Sequence, residues 1–305
     1  MSRLHMSVLT IPFHSGRIVV LADLHYDSYV RQQFDPFEEH GLDPLHWQGV
    51  DALILAGDIA DQPHRNWPRA FKYLRRFIAP DRTYVFSGNH DFYGHALDAE
   101  SDLCRLAEAA GVHFVQKTEL RHGRTRFLCA TLWTDFDLFG DPESAMRAAG
   151  RGMRDYRDIC KLAPVEPVTP DDLKPRPRYV PIVPADTLAV HWDHRHWLQH
   201  NLGQPHFAGQ DGRTVVVTHH CPARATAGPL TDLSPAFHSD LSGLIAEFKP
   251  DIWAFGHSHR RLRATVADCD VRNVSLGYPF EPAALTDCDI LDTCFVDSNP
   301  WADGS

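Results

Sequence analysis

Residues 84–91 read Tyr-Val-Phe-Ser-Gly-Asn-His-Asp. A short apolar run ends at serine and glycine, and a carboxamide, an imidazole and a carboxylate follow without a gap. The run reads as a buried strand. The glycine reads as the tight turn that ends it. The three polar side chains are then delivered to the carboxyl end of that strand, where their types fit either a polar turn or a metal site. The missing ligands, if there are any, have to come from elsewhere in the chain.

The same syntax recurs outward from this stretch. Arg17–Ala22 runs into Asp23-Leu24-His25, and Asp51–Ala56 into Gly57-Asp58. Arg126–Leu132 runs into Trp133-Thr134-Asp135, Thr214–Thr218 into His219-His220, and Asp251–Phe255 into Gly256-His257-Ser258-His259. Short, near-continuous apolar runs bounded by turns predict strands buried on both faces. Between them the pattern predicts helices over Asn66–Ile78, His95–Ala110, Pro142–Arg151, Asp186–Leu202 and His238–Phe248. Such alternation predicts an α/β fold with helices packed on sheets. In such folds the functional crevice lies beyond the carboxyl ends of the strands, where every polar cluster falls. The chain is read as one domain, residues 1–305. The proline-rich stretch 161–184 lacks a period and is expected to be a surface excursion. Together with the residues from Asp137 onward, this insertion (137–184) is expected to roof part of the site. The tail Asp287–Ser305 is expected to be irregular.

Bulk properties narrow the function. Hydrophobic residues make up 43% and charged residues 23%, ordinary for a soluble globular chain that buries a core. The formal net charge of -10 argues against a protein that coats nucleic acid. The first residues lack the apolar core of a signal peptide, and runs such as Ile18–Ala22 are too short to span a bilayer. Seven cysteines form no CxxC pair, so reduced thiols and a cytoplasmic location are expected. A disulfide among Cys269, Cys288 and Cys294 stays open at this stage, and the sequence carries no signal for an oligomeric state.

The ligand-type residues form an ordered set. Asp23 and His25 stand two apart, as do His257 and His259. On extended backbone such pairs point to one side, so each pair is expected to reach a common centre. Asp58 adds a carboxylate, Asn89 an amide oxygen, and His219-His220 an imidazole. The blocks D-x-H, G-D, G-N-H-D, a histidine after a strand, and G-H-x-H occur in that order over residues 23–259. Each is weak alone. As an ordered set they resemble the calcineurin-like metallophosphoesterase superfamily, in its bacterial-type members.

The resemblance implies a four-layer α/β/β/α sandwich of two mixed β-sheets flanked by helices, with a two-metal site at the strand C-terminal ends. It implies that Asp23, His25 and His259 hold one ion, that Asn89, His219 and His257 hold the other, and that Asp58 bridges them. Two cations about 3.5–4 Å apart trap a hydroxide and clamp both oxygens of an in-line displacement at phosphorus. Mixed nitrogen and oxygen ligands without thiolate suit manganese, iron or zinc. The resemblance further implies that His90 protonates or steadies the leaving oxygen, with Asp91 orienting it.

This chain departs from the family by offering two adjacent histidines after the fifth strand. His219 fits the family spacing better, with Pro222 three residues on. His220 then lies behind the ligand or faces substrate, where it would help stabilise the transferring phosphoryl group. Trp133, Arg154 and Arg157 are further candidates for substrate contact, weighed against core packing and a solvated basic helix face. Asp135, beside Trp133, and Arg260, next to the last ligand, are weighed in the same way. Cys221 reads as a small buried residue rather than a nucleophile. The implied function is metal-dependent hydrolysis of a phosphodiester or phosphomonoester, on a small molecule or nucleotide, by a metal-bridging hydroxide. The alternatives are a nuclease acting on DNA or RNA and a catalytically silent binding scaffold. The latter loses weight because no ligand histidine is missing.

Overall fold

Each apolar run singled out above forms a strand in the computed structural model, which describes residues 7–163, 178–281 and 288–298. In chain order the strands are β1 (Ser7–Thr10), β2 (Arg17–Leu21), β3 (Val50–Ala56), β4 (Thr83–Phe86), β5 (His113–Phe114), β6 (Thr118–His122) and β7 (Thr125–Ala130). They continue as β8 (Cys160–Leu162), β9 (Tyr179–Pro181), β10 (Arg213–Thr218), β11 (Ile252–Phe255), β12 (Arg263–Val266), β13 (Cys269–Asn273) and β14 (Phe295–Asp297). One sheet has the order β14-β2-β3-β4-β5, with β14 antiparallel and the rest parallel. The other has the order β1-β6-β7-β10-β11-β13-β12 and is also mixed. The fold is therefore mixed α/β, two large mixed sheets flanked by helices.

Side-chain alternation explains the layering. Ile18, Val20, Ile54, Tyr84 and Phe86 on one face meet Phe127, Val215, Val217, Ile252 and Ala254 of the other sheet in a buried inter-sheet core. Val19, Leu21, Leu53, Leu55 and Val85 point the opposite way. They pack under Trp67, Phe71 and Leu74 of the helix Pro63–Leu74 and Leu103 of the helix Glu100–Ala109. On the far side Leu128, Val216, Trp253 and Phe255 pack under Trp197 and Leu198 of the helix Pro184–Leu202 and Ile245 of the helix Ser242–Phe248. A strand covered on both faces needs no polar alternation, which is why these runs read as continuously apolar. Truncating one such buried aromatic, Trp253→Ala, is expected to cost about 3–5 kcal/mol.

Several boundaries differ from expectation for local reasons. The helix expected from Asn66 starts at Pro63, because proline is pre-set for a first helical turn. The helix expected from His238 starts only at Ser242. Residues 238–241 instead spend backbone bonds on the Cys221-Pro222 turn, with Ser239 N–H donating to Cys221 C=O and Leu241 N–H to Pro222 C=O. The tail is not wholly irregular. Asp289 caps a short helix, Ile290–Thr293, and β14 then pairs with β2, placing Val296 in the inter-sheet core. Within the proline-rich excursion β8 and β9 pair antiparallel, and residues 164–177 lie outside the described residues. All seven cysteines are free thiols, so no C-terminal disulfide forms. Among the described residues no helix is long and apolar enough to cross a membrane.

Candidate metal centre

The polar residues at the ends of β2, β3, β4, β10 and β11 converge where the two sheets meet. Glycines make the convergence physically feasible. Gly57 has left-handed backbone (φ +85), and a Cβ there would stand 2.5 Å from the backbone nitrogen of Gly88. A Cβ on Gly256 would stand 2.5 Å from Ala22 Cβ and 2.5 Å from an Asp23 carboxylate oxygen. The loops of the two sheets thus touch backbone to side chain.

Asp23, His25, Asp58, His257 and His259 all have positive φ. Non-glycine residues seldom adopt this conformation, and it concentrates at functional sites. It also corrects the expectation of extended pairs two residues apart. Asp23 (φ 57) and His25 (φ 39) reach one centre through left-handed turns, not strand alternation. His257 and His259 face different groups: His259 joins Asp23, His25 and Asp58, whereas His257 joins Asp58 and His219.

Within each group the potential ligand atoms lie within 4.8 Å of one another, and Asp58 belongs to both. His25 Nε2 stands 3.0 Å from His259 Nε2 and 3.7 Å from Asp58 Oδ2. His259 Nε2 stands 3.2 Å from Asp23 Oδ1. His219 Nε2 is 3.4 Å from Asp58 Oδ1 and 3.0 Å from Asn89 Oδ1. The Asn89 amide is turned by Asp155, which accepts its Nδ2–H at 2.9 Å and also accepts the Tyr93 hydroxyl at 2.7 Å. The other nitrogens are anchored as in metal sites, where a ligating histidine donates its second N–H to a carbonyl or carboxylate. His219 Nδ1 bonds the Ala56 carbonyl at 2.8 Å, and His259 Nδ1 bonds Glu281 at 2.9 Å.

Two features test whether the residues fit a cation. His257 Nε2 is buried without a hydrogen-bond partner, as is His25 Nδ1, a costly state for polar atoms. The electrostatics agree. Burial, with neighbouring imidazoles, drives the His25 and His257 pKa values well below the usual histidine range, so both are neutral. Burial also opposes protonation of His219 and His259, but the Asp58 and Asp23 carboxylates respectively outweigh it and raise them to about 9 and about 10. Burial opposes ionisation of Asp58, yet the His219 and His90 charges hold its carboxyl well below its ordinary value. Oxygen and imidazole donors with no thiolate suit a borderline divalent cation, which would displace the protons of His219 and His259. The donor set fits.

Other expectations need correction. Asp91 does not orient His90. Its carboxylate accepts the backbone N–H groups of Asp58, Ile59, Ala60 and Gly88 and the indole N–H of Trp67, at 2.8–3.2 Å. It is the brace of the Asp58 turn, because those donors surround it in the interior. His90 is oriented by Asp61, which receives Nδ1–H at 2.7 Å, and Nε2 lies 3.2 Å from the Tyr278 hydroxyl. Burial lowers the His90 pKa, but Asp58 and Asp61 outweigh it and raise it. His220 is buried with its ring 4.1 Å from His257 and stacked on Trp133 at 5.0 Å. Neither His220 nor Trp133 lines the cleft over the site.

That cleft, about 390 Å³, is walled by Asp58, Asn89, His90, Arg154, Phe237 and Tyr278 among others. Arg154 is there, but its guanidinium already bonds Asp158 at 2.6 and 2.9 Å. Arg157 is exposed and outside the cleft wall. Arg260 is spent on the carbonyls of Ala227 and Pro229, and the Asp135 side chain on its own turn. The Cys221 thiol bonds the Ala223 carbonyl and Thr226 hydroxyl, and burial pushes its pKa up to about 12. The sequence reading missed Asp61, Asp155, Ser275, Tyr278 and Glu281. Ser275 bonds Asp23 at 2.6 Å, and the Tyr278 ring stacks on His25 at 4.1 Å. A carboxylate three residues after Gly57-Asp58 was the one available local signal.

The family model for calcineurin-like phosphoesterases matches residues 16–261. No curated protein matches by sequence. Among solved structures, a phosphopantetheinyl hydrolase from Mycobacterium tuberculosis is similar, with TM-score 0.57 and 17% identity over 87% of this chain and 92% of that one. A putative 5'-nucleotidase from Staphylococcus aureus, solved with alpha-ketoglutarate, gives TM-score 0.42 and 13% identity over 84% of this chain and 48% of that one.

Proposed function

The chain belongs to the calcineurin-like phosphoesterase family, and from that premise we propose that it is a metal-dependent hydrolase of small phosphodiesters or phosphomonoesters, nucleotides included. The observation that carries this reading is the Asp58 carboxylate, shared by two clusters of buried ligand-type side chains at the floor of one cleft. Asp23, His25 and His259 would hold one ion, Asn89, His219 and His257 the second, and Asp58 would serve both. Bound there, manganese, iron or zinc would supply Lewis acidity and an activated water at neutral pH.

The chain's own residues do the rest. His90, whose pKa Asp58 and Asp61 raise against the effect of burial, presents Nε2 to the cleft beside the Tyr278 hydroxyl. It is placed to give a proton to the leaving oxygen, which matters most for alcohols that leave poorly. Tyr278 positions that ring and, by stacking on His25, closes one side of the cluster. Residues 152–154 wall the cleft and Asp155 sets the Asn89 amide, which supports reading the segment after Asp137 as its partial roof. A nuclease needs a basic track along a polyanion. The arginine in this wall is neutralised by Asp158, which favours small esters.

The test is a panel of mono- and diesters assayed with manganese, iron or zinc added. Asp58→Asn is expected to lower kcat/KM by more than about a thousandfold, the upper range for one electrostatic group in an active site. His90→Ala is expected to retain metal and to slow poor leaving groups by about 10²–10⁴. Normal turnover by Asp58→Asn would refute the shared-carboxylate reading.

A further inference from the structure

Outside the centre at Asp58, one further group of ligand-type side chains converges. His64, His95 and Asp102 bring potential ligand atoms within 4.8 Å of one another, and none of the three walls the cleft. They come from separate pieces of chain. His64 is the second residue of the helix Pro63–Leu74, Asp102 lies in the first turn of the helix Glu100–Ala109, and His95 follows the loop that carries His90. His95 is buried, 7% exposed, and its Nε2–H donates to the Ala99 carbonyl at 3.0 Å. A carbonyl only accepts, so the proton is fixed on Nε2, and the neutral ring keeps a lone pair on Nδ1. No hydrogen bond among the described residues uses that lone pair. An N–H anchored on a carbonyl, with the second nitrogen left open, is the arrangement of a metal-ligating histidine. Burial lowers the His95 pKa, which favours the neutral ring. The exposed His64 ring stands 5.1 Å from it, edge-on at 70°, and makes no hydrogen bond among the described residues. Asp102 bonds the exposed Arg105 guanidinium through Oδ1, a surface pair of small worth, and Oδ2 stays open.

We propose that His64, His95 and Asp102 form a separate cation site, for zinc or a similar borderline ion. Two imidazoles and a carboxylate are ordinary zinc ligands, and three protein ligands leave the fourth position to water. Tetrahedral zinc sets neighbouring ligand atoms about 3.3 Å apart, so the group closes by up to about 1.5 Å on binding. His64, exposed and bonded to nothing else, makes that movement. The positive ends of the two helices, about half a charge each, oppose a cation. The full charges of Asp98 and Asp102, both of which act on His95, offset them. The ion would be a structural clamp. Asp61 and His64 share one loop, His90 and His95 the other, and Gln62 N–H donates to Tyr93 C=O at 2.9 Å between them.

The experiment loads the full chain with zinc from chelator-buffered solutions and counts bound ions per chain by elemental analysis after gel filtration. His64→Ala, at an exposed position, is expected to bind one ion fewer than the unaltered chain. Asp102→Asn is expected to weaken the same ion by more than about tenfold. Asp58→Asn, which disrupts the shared-carboxylate centre, is expected to keep it. In that Asp58→Asn background zinc is expected to raise the melting temperature, and adding His64→Ala to erase the rise. Equal zinc content with and without His64 overturns the proposal, as does an adventitious ion only, bound weakly and indifferent to both His64→Ala and Asp102→Asn. Loss of the ion in Asp58→Asn would assign it to the other centre and overturns the proposal too. The count does not depend on turnover, so failure of the phosphoesterase reading leaves this test intact.

Discussion

The two sheets arrive at the site in opposite states of completion. On the β2-β3-β4 side the turn after β3 is anchored by Asp91, which gathers five N–H donors, and the Asp58 carboxylate accepts the His90 amide at 2.8 Å. On the β10-β11 side, the His257 Nε2 has no partner and His220 Nδ1 has only a 3.4 Å approach to the Thr131 carbonyl. The first side is finished by the protein except at His25 Nδ1, which lacks a partner too. The other is finished only when something electrophilic enters. Buried carboxylates can be satisfied by backbone amides, which any turn can supply. Buried neutral imidazole lone pairs need a proton or a cation.

Breaking the finished side should have the largest effect. Asp91→Ala would strand buried N–H groups and is expected to destabilise the metal-free protein by about 3–5 kcal/mol, read by chemical denaturation. His257→Gln removes an unpaired group. It should leave the metal-free melting temperature nearly unchanged while removing the rise that manganese produces. Equal destabilisation by both substitutions would abolish the contrast.

Glu281→Gln comes next. It weakens the anchor of His259 Nδ1 and is expected to cost about 10–100-fold in metal affinity, measured by competition with a chelator. Proton release sharpens the same point. His219 and His259, raised to about 9 and about 10, are charged at pH 7 and must lose their protons to a cation. Calorimetry in buffers of different ionisation enthalpy should show about two protons released per pair of ions at pH 7, with affinity rising as pH rises towards 9. No release would mean the histidines are not ligands. The smallest effect belongs to Asp61→Asn. The Asp61 carboxylate raises the His90 pKa, so its loss should move the basic limb of kcat/KM for a poor leaving group to lower pH, by about one unit or less.

Legibility followed the range of the interaction. The strands β2, β3, β4, β10 and β11 were readable because their burial on both faces leaves an apolar run that ends at a polar turn. The same turns revealed Asp23, His25, Asp58, Asn89, His257 and His259, and the ordered spacing carried the family resemblance. The preference for His219 over His220 came from that spacing, and the structure sets His219 within reach of Asp58 and His257. The mistaken role of Asp91 shows the limit. Adjacency to His90 suggested a pair, but a carboxylate one residue away on a short 3-10 turn points elsewhere. Tyr278 and Glu281 lie beyond the matched stretch, in a loop with no motif to flag it.

Which residue types stand at which strand ends is legible along the chain, because burial pattern and turn chemistry are local properties. Which residue serves which is settled by folding: Asp91 for the Asp58 turn, Asp61 and Tyr278 for His90, Glu281 for His259. Those partners are separated by 22 to 188 residues, and sheet order together with left-handed backbone at the turns selects among them. A side chain bonds what lies within about 3 Å of it in space, and that distance is not a property of residue type.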